Sequence, residues 1–345
     1  MRILFVATDL TSHGGMARSQ RNLLIRLRAI NSAQVEILSL NDKDKTVNGA
    51  GGSKILFMLK FAYLCLKFKP EIVVLGHLDL SKAAFLKMLI PRSKWHSLLH
   101  GIEAWFYRKE LQRFYRFIDS YWSVSNYTKI KFAETNRIAM EKVKIFLQIT
   151  NSVWDLNNSD VTYEPFFLSV AKVTVSEGYK GIDKTIEAIH LNEREMRDFG
   201  FKYVFVGSGD DLKRHVDLIA KYDLTDIVSV QQAISDEALK ELYRTTSCSL
   251  LPSSGEGFGF VFIEAMAYGK ACIGCKNCGS EDLIDHDVTG YLVDSTVEDI
   301  WKHMKLVMLH PTNVIKMGEA GFAKREREFK GDVADKNLNE LLMLK

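Results

Sequence analysis

The chain has 345 residues, of which 47% are hydrophobic and 26% charged, and its formal net charge is +3. This length accommodates two domains of ordinary size, and the composition is that of a soluble globular protein without repeats or low-complexity tracts. Five cysteines, an odd number, do not indicate a disulfide framework. Arg2 is followed at once by the strand-like Ile-Leu-Phe-Val-Ala, so we expect no signal peptide and a cytoplasmic location.

Charge is divided unevenly along the chain. Residues 1–160 contain 24 Lys and Arg against 13 Asp and Glu, whereas the remainder contains 22 against 30. This division indicates a surface that faces anionic lipid, nucleic acid or an anionic substrate, unless the charges are spread by chance over solvated faces. No recognised nucleic-acid motif accompanies the basic residues, so we expect no nucleic-acid partner.

Strands and helices alternate through the first half. The pattern predicts strands at 2–7, 34–40, 71–75 and 95–99. In a parallel sheet, ligands bind beyond the carboxyl ends of the strands, where His100 and the pair Gly14 and Gly15 fall. From position alone, His100 is either functional or a structural hydrogen-bonding residue. The glycine pair either receives phosphate at a helix N-terminus or provides positive φ in a loop.

Two apolar runs carry basic residues at intervals. Residues 54–69 contain four lysines, and residues 81–92 contain Lys82, Lys87 and Arg92. Both runs are interrupted by charge and are shorter than the ~20 apolar residues that a bilayer requires. Each run is predicted to be a helix that covers a parallel sheet, or a basic amphipathic surface that lies on anionic lipid. Both interpretations can hold at once.

A second alternation begins with a predicted strand at 166–170. Lys172 follows this strand, and Lys180 precedes Gly181. Two cations therefore lie beyond the carboxyl end of a strand, where parallel sheets bind ligands. Alternatively, each is a solvated loop lysine. A later strand ends in Gly207-Ser208-Gly209, but Leu212 replaces the third glycine of G-x-G-x-x-G. The missing glycine argues against NAD binding.

Residues 251–269 contain the strongest functional signal. Glu256 lies among glycines at 255, 257 and 259, and Glu264 is the only charge between Phe258 and Gly269. Eight residues on one helix would separate the two carboxylates by about 80°, so we place Glu256 on a loop and Glu264 inside the helix that follows. A carboxylate in an apolar run needs a partner, which is either a ligand hydroxyl or a structural ion pair.

Two further patterns are weighed as metal sites. Cys272, Cys275 and Cys278 form a C-x2-C-x2-C run without a fourth ligand, which we interpret as small-residue packing rather than an iron–sulfur site. The D-x-D triplets at 42–44 and 285–287 fall in loops or turns, and we interpret the first as solvated charge. We therefore expect no metal site.

The segment Ser-Gly-Glu-Gly-Phe-Gly-Phe-Val-Phe-Ile-Glu-Ala-Met-Ala resembles the Glu-x7-Glu motif of retaining glycosyltransferases of family 4, which have the GT-B fold. The resemblance implies that Glu256 contacts hydroxyls of the donor sugar and that Glu264 holds the nucleotide ribose. It assigns the donor diphosphate to Lys180 and to Lys172, which stands where the family usually has Arg. The catalytic residues implied are Glu256, His100, Lys172 and Lys180. The implied substrate-binding residues are Gly14, Gly15, Gly207, Ile234, Gly257, Phe258, Gly259 and Glu264.

The predicted fold class is α/β, with two Rossmann-like domains of a GT-B fold facing a central cleft. We place an acceptor-side domain at residues 1–160 and a nucleotide-sugar-binding domain at 161–322. By resemblance, residues 323–345 form a helix that returns to the first domain.

The function implied is transfer of a hexose, with retention, from a nucleoside-diphosphate sugar to a glycan or lipid-linked acceptor. Because Lys172, Lys180 and backbone N–H groups can stabilise the leaving diphosphate, we expect the transfer to need no metal ion. We expect the setting to be the assembly of bacterial surface polysaccharide, lipopolysaccharide or glycolipid. From the basic first half we expect attachment to an anionic membrane surface, at the inner face of the cell membrane. No cofactor is expected, and a UDP-sugar is slightly preferred as donor, although the base cannot be read from the sequence. The alternatives are a non-catalytic GT-B subunit, an epimerase or phosphorylase of related fold, and a dehydrogenase with two Rossmann domains.

Overall fold

The computed structural model describes residues 1–12, 14–149 and 161–343. The chain divides into two compact units, one formed by Met1–Gln148 with Ala334–Lys345 and the other by Ile149–Val333. The domain boundary predicted at residue 160 lies outside the described residues.

The first unit is built on a parallel sheet. Its strands are β1 (Arg2–Ala7), β2 (Gln34–Ser39), β3 (Ile72–Leu75), β4 (Lys94–Leu99), β5 (Ser120–Ser123) and β6 (Val143–Ile145). Its helices are α1 (Gly15–Arg28), α2 (Lys54–Phe68), α3 (Gln112–Tyr115) and α4 (Asn126–Asn136), with 3₁₀ segments at Lys45–Val47, Leu78–Leu89, Ile102–Ala104 and Met140–Lys142. The four strands expected in this half are confirmed, whereas the helix expected at 81–92 is a 3₁₀ segment.

The strand order of this sheet is β2-β1-β3-β4-β5-β6, so the order reverses between β1 and β3. These two strands are buried on both faces, as strands of a parallel sheet covered by helices must be. Ligands of doubly wound sheets bind outside the carboxyl ends of the strands at such a reversal. Gly14 follows β1 at that edge, and His77 follows β3.

The second unit repeats this architecture. Its strands are β7 (Glu164–Lys172), β8 (Lys202–Ser208), β9 (Val228–Gln231), β10 (Thr246–Leu250), β11 (Ala271–Cys275) and β12 (Gly290–Val293). Its helices are α5 (Ile182–Leu191), α6 (Glu193–Asp198), α7 (Leu212–Lys221), α8 (Asp236–Thr245), α9 (Phe260–Ala267), α10 (Val297–Leu309) and α11 (Pro311–Glu328), with 3₁₀ segments at Val175–Lys180 and Gly279–Asp282. Its strand order, β12-β11-β10-β7-β8-β9, reverses between β7 and β10. The segments that leave these two strands carry Lys180 and Glu256.

The last helix, α12 (Gly331–Leu341), fastens the carboxyl end of the chain to the first unit. Leu338 is buried in the same apolar cluster as Leu23 of α1. Asn337 donates to the carbonyl of Ile145 at 3.1 Å and accepts from the amide of Leu147 at 3.0 Å. These contacts tie α12 to the edge strand β6.

The two α/β units with parallel six-stranded sheets confirm the predicted fold class. Among the described helices, none combines the length and the apolar character needed to cross a bilayer.

Candidate functional site

Lys180 and Glu256 form an ion pair at the strand-order reversal of the second unit. Lys180 Nζ lies 2.6 Å from Glu256 Oε1, and the two side chains are only 18% and 12% exposed. Lys180 ends the 3₁₀ segment after β7, and Glu256 lies on the loop between β10 and α9. The two sequence candidates are therefore neighbours although 76 residues separate them.

Backbone contacts position both members of the pair. Gly181 has φ +78°, and a Cβ there would lie 2.3 Å from the carbonyl oxygen of Pro252. Gly279 donates its amide to the carbonyl of Glu256 at 2.7 Å, and a Cβ on Gly279 would lie 2.1 Å from the carbonyl oxygen of Gly257. Glycine is needed at both positions because the backbones approach too closely for a side chain.

The electrostatics of the pair keep Lys180 charged. Burial by itself lowers the pKa of Lys180, but the Glu256 carboxylate outweighs that effect and the pKa lies above its usual value. Burial also raises the pKa of the adjacent Tyr179 to about 12, so that phenol is neutral at physiological pH. The segment thus presents a fixed ammonium beside a carboxylate.

The glycine-rich loop leads directly into α9. Gly259 caps this helix with φ +103° and no side-chain hydrogen bond, and a Cβ there would meet the ring of Phe262 at 2.6 Å. The ring of Phe258 is buried edge-on against Phe260 and Phe329, with centroid distances of 5.3 and 6.0 Å. A helix N-terminus whose capping residue has no side chain presents amide N–H groups and a positive dipole end, which suit an anionic ligand.

Glu264 lies inside α9, and Glu256 precedes that helix, as the spacing argument predicted. Glu264 is 3% exposed, and its Oε2 accepts a hydrogen bond from the hydroxyl of Tyr243 at 2.9 Å. Tyr243 lies on α8, and no sequence pattern singled it out. One partner of the buried carboxylate is therefore a neutral hydroxyl supplied by another helix.

The other candidates of the second unit lie along its strand ends. Lys172 is exposed at the end of β7, where it pairs in register with Ser208. The missing side chain of Gly207 makes room for Phe205 and Leu212, because a Cβ would lie 2.6 and 2.9 Å from their side chains. Ile234 is half-buried in the turn after β9.

In the first unit, Gly14 and Gly15 lie exposed at the N-terminus of α1. Gly14 has φ +145°, and a Cβ there would meet no atom within 4 Å. Arg21 shapes the preceding loop, since its guanidinium donates to the carbonyls of Leu10 and Ser12 at 2.9 and 2.8 Å. Packing therefore leaves the glycine pair open to solvent.

His100 follows β4 at the same edge of the first sheet. Its Nε2 lies 2.7 Å from the carbonyl oxygen of Gly76, which can only accept, so Nε2 carries the proton and Nδ1 is the acceptor. Burial lowers the pKa of His100 despite the nearby carboxylate of Glu103, which favours a neutral ring. Glu103 also accepts from the His100 amide at 2.5 Å, so His100 is held at both its ring and its backbone.

The interpretation of Asp42 as solvated charge is wrong. Asp42 is 3% exposed and accepts from the Leu10 amide at 2.8 Å and from the hydroxyls of Ser39 and Thr11 at 2.6 and 2.7 Å. These donors satisfy the carboxylate and tie the loop after β1 to the end of β2. Asp44 caps the 3₁₀ segment Lys45–Val47.

All five cysteines are buried free thiols. Burial raises the pKa of Cys275 to about 12 and that of Cys272 well above its usual value. Burial thus disfavours the thiolate at these positions, and a buried free Cys packs as a small apolar side chain does. Across residues 1–12, 14–149 and 161–343, no group of three or more His, Cys, Asp or Glu side chains is placed to hold a metal ion.

Comparison with known proteins shows a shared fold and a family match over part of the chain. Residues 161–324 match the family described as glycosyl transferases group 1. The amylovoran biosynthesis glycosyltransferase AmsK of Erwinia amylovora is 28% identical over 211 residues, which are 59% of this chain and 51% of AmsK. HepE of Anabaena, solved in complex with UDP-glucose, is similar with a TM-score of 0.79 at 16% identity, over 99% of both chains. Sucrose-phosphate synthase of Thermosynechococcus elongatus has a TM-score of 0.81 at 16% identity, over 99% of this chain and 98% of the synthase.

The sequence, structure and family matches cover different parts of the chain. The alignments span 51% of AmsK and 39% and 40% of two uncharacterized glycosyltransferases, from Haemophilus influenzae and Methanocaldococcus jannaschii. The structural likeness covers both units and confirms the GT-B fold. The family match covers Lys180, Glu256 and Glu264. Residues 161–324, slightly less than half of the chain, are therefore similar to the glycosyl transferases group 1 family.

Proposed function

We propose that this protein transfers a hexose, with retention of anomeric configuration, from a nucleoside-diphosphate sugar to an acceptor hydroxyl. The observation that carries the proposal is the buried Lys180–Glu256 pair on the segments that precede α5 and α9, within the residues that match the group 1 family. Such a site offers a cation and amide N–H groups to a diphosphate and a carboxylate to sugar hydroxyls. HepE was solved with UDP-glucose, which favours a UDP-sugar as donor here as well.

Each candidate residue has a role in this proposal. Lys180, Lys172 and the amides from Phe258 onward stabilise the diphosphate, Glu256 orients the sugar through its hydroxyls, and Glu264 binds the ribose. The segment that contains Ile234 meets the base. In the first unit, Gly14 and Gly15 are assigned to the diphosphate and His100 to the donor sugar.

The reaction breaks the bond between the anomeric carbon and the diphosphate oxygen, and the electron pair stays on that oxygen. Preorganised charges that stabilise such a leaving group usually supply the largest part of catalysis. The acceptor oxygen bonds to the same face of the anomeric carbon, and its proton passes to the departing phosphate oxygen. Retention follows without a separate base and without a metal ion.

The acceptor is proposed to be a growing glycan or a lipid-linked saccharide. AmsK, a glycosyltransferase of amylovoran biosynthesis, aligns with 59% of this chain, and that similarity supports a role in bacterial surface polysaccharide, lipopolysaccharide or glycolipid assembly. A lipid-linked acceptor would place the protein at the inner face of the cell membrane.

Binding of the donor is tested by thermal shift with UDP-, GDP- and ADP-sugars. A ligand at 100 times its Kd stabilises a folded protein by about 2.7 kcal/mol, which raises Tm by several degrees. We expect a shift with one nucleotide class, most clearly with UDP-sugars. No shift with any of these donors, in a protein that melts cooperatively, would contradict the proposal.

A further inference from the structure

The outer face of α2 exposes a stripe of large apolar side chains. The residues of this stripe are Ile55, Leu59, Tyr63 and Leu66, exposed by 77%, 65%, 56% and 55%. At 100° per residue they fall within an arc of about 80°. Phe57 and Phe61, on the other side of the helix, are buried in the core. Helices of globular domains normally carry polar side chains on the outer face. An exposed apolar stripe of this kind therefore indicates a binding surface.

The stripe continues onto the neighbouring 3₁₀ segment Leu78–Leu89. An open groove of about 470 Å³ joins the two elements and is lined by apolar side chains with one lysine. The groove is lined by Lys54, Ile55, Met58, Leu59 and Leu86. On the same 3₁₀ segment as Leu86, Met88 and Leu89 are 66% and 44% exposed. We call Ile55, Leu59, Tyr63, Leu66, Met88 and Leu89 the apolar face.

Charges on the two stretches that carry the apolar face are basic, and the carboxylates of Asp79 and Glu71, which flank these stretches, are paired with Arg108 and Arg2. Residues 45–70 and 80–102 contain no Asp or Glu. The exposed basic residues of these two stretches include Lys54, Lys67, Lys69, Lys82, Arg92 and Lys94. Lys67 Nζ lies 5.2 Å from the centre of the Tyr63 ring, so a cation borders the stripe directly. An apolar face bordered by cations complements an anionic lipid surface, where apolar side chains enter the acyl boundary and lysines meet the headgroups.

We propose that the apolar face of α2 and Leu78–Leu89 docks this protein onto an anionic lipid bilayer. The helix would lie parallel to the membrane plane, with Leu59 and Leu66 inserted and Lys67 and Lys82 at the headgroups. The proposal concerns binding alone, so it stands or falls separately from sugar transfer.

Vesicle sedimentation tests the proposal with the full chain and no donor. Vesicles of phosphatidylcholine are compared with vesicles of equal parts phosphatidylcholine and phosphatidylglycerol. We expect binding to the mixed vesicles only, weaker at high salt because surface charges are screened. Leu59→Gln and Met88→Gln, on separate elements, should each lower the partition coefficient about tenfold, the scale for withdrawing one large apolar side chain. Lys67→Gln should lower it about fivefold.

Matched controls lie in the second unit. Leu191 on α5 is 66% exposed, almost the same as Leu59, and Lys302 on α10 is exposed. Leu191→Gln and Lys302→Gln should bind mixed vesicles like the wild type. Equal binding to both vesicle types, or full binding by folded Leu59→Gln and Met88→Gln variants, would overturn the proposal. A dimer that Leu59→Gln dissociates, in a protein that does not bind vesicles, would instead assign the face to a second copy.

Discussion

Lys180 and Glu256 orient each other across 2.6 Å in a largely buried position. Two opposite charges held in this way can meet a diphosphate and sugar hydroxyls without reorganisation, which is how preorganised sites accelerate reactions. Lys172, exposed at the end of β7, lacks such a fixed partner among the described ion pairs. The two lysines should therefore contribute unequally.

Lys180→Met should lower kcat by about 10²- to 10³-fold, the scale for losing one group that stabilises developing negative charge. The measurement is the rate of nucleoside diphosphate release at saturating donor. Lys172→Met should cost about tenfold, because an exposed point charge acts through solvent. Lys213→Met, on the exposed side of α7, is the control and should be neutral. Wild-type turnover in Lys180→Met would rule out the assigned role.

The same pair should contribute to stability with a defined pH dependence. Lys180→Met leaves Glu256 largely buried without its cation and should lower the free energy of unfolding by about 1–3 kcal/mol. Lys180→Met combined with Glu256→Gln should recover part of that loss. Denaturant melts of the two variants and the wild type measure both effects.

The sign of the pH effect follows from the raised pKa of Lys180, which lies above its usual 10.5 in the folded chain. The folded chain holds this proton more tightly than the unfolded chain, so the stabilisation is complete below pH 10.5 and is lost as pH rises through the folded pKa. The wild type should exceed Lys180→Met by the same margin at neutral and mildly alkaline pH, and by less in stronger alkali. A margin that grows in alkali would contradict this linkage.

Glu264→Gln should weaken the binding of UDP by about 10- to 150-fold, because a hydrogen bond to a charged carboxylate is worth about 1.5–3 kcal/mol. Titration calorimetry with UDP measures this loss. Tyr243→Phe is the matched variant, since it removes one donor to the same carboxylate and should lower stability more than UDP affinity. If Glu264 has only a structural role, Glu264→Gln will destabilise the chain and leave UDP affinity unchanged.

At the scale of elements, the two strand-order reversals decide where the candidate residues lie. The reversal between β7 and β10 brings together two segments 76 residues apart, because neighbouring strands release their loops side by side. Gly279, the first residue of the 3₁₀ segment Gly279–Asp282, donates one of the backbone hydrogen bonds that hold the Glu256 loop. The position of the loop therefore depends in part on Gly279, to which the sequence assigned no role.

Gly279→Ala tests this dependence. Its Cβ would lie 2.1 Å from the Gly257 carbonyl oxygen, so the loop must move. We expect turnover to fall by about 10²-fold, because small displacements of catalytic groups are costly. Gly178→Ala, where a Cβ would meet no atom within 4 Å, is the control. Equal turnover in the two variants would show that the loop tolerates displacement.

Local sequence patterns predicted most of these elements. The contacts that were not predicted join residues far apart in the sequence. Apolar runs and the glycines around Glu256 were sufficient to place β1, β3 and the start of α9. Tyr243 as partner of Glu264 could not be predicted, since its helix carries no signal for contact with α9. Asp42 was misjudged for a similar reason, because two of its three donors come from the loop after β1, more than thirty residues away.

At the scale of the whole molecule, the charge division of the chain has a structural counterpart. Basic residues lie on the stretches that carry the apolar face of the first unit, and the Lys180–Glu256 pair lies in the more acidic remainder, within the residues that match the group 1 family. Docking and donor binding are thus assigned to different units, so variants of one function should leave the other intact. Vesicle binding by Lys180→Met and donor binding by Leu59→Gln, both expected at wild-type level, test this independence.

The central claim, retaining sugar transfer through Lys180 without a metal ion, is tested most directly by following the transfer product by NMR, with and without a chelator. We predict a product whose anomeric configuration matches that of the donor, formed at an unchanged rate in chelator and slowed about 10²- to 10³-fold in Lys180→Met. A product of inverted configuration, or activity abolished by chelation and restored by magnesium or manganese, would contradict the account.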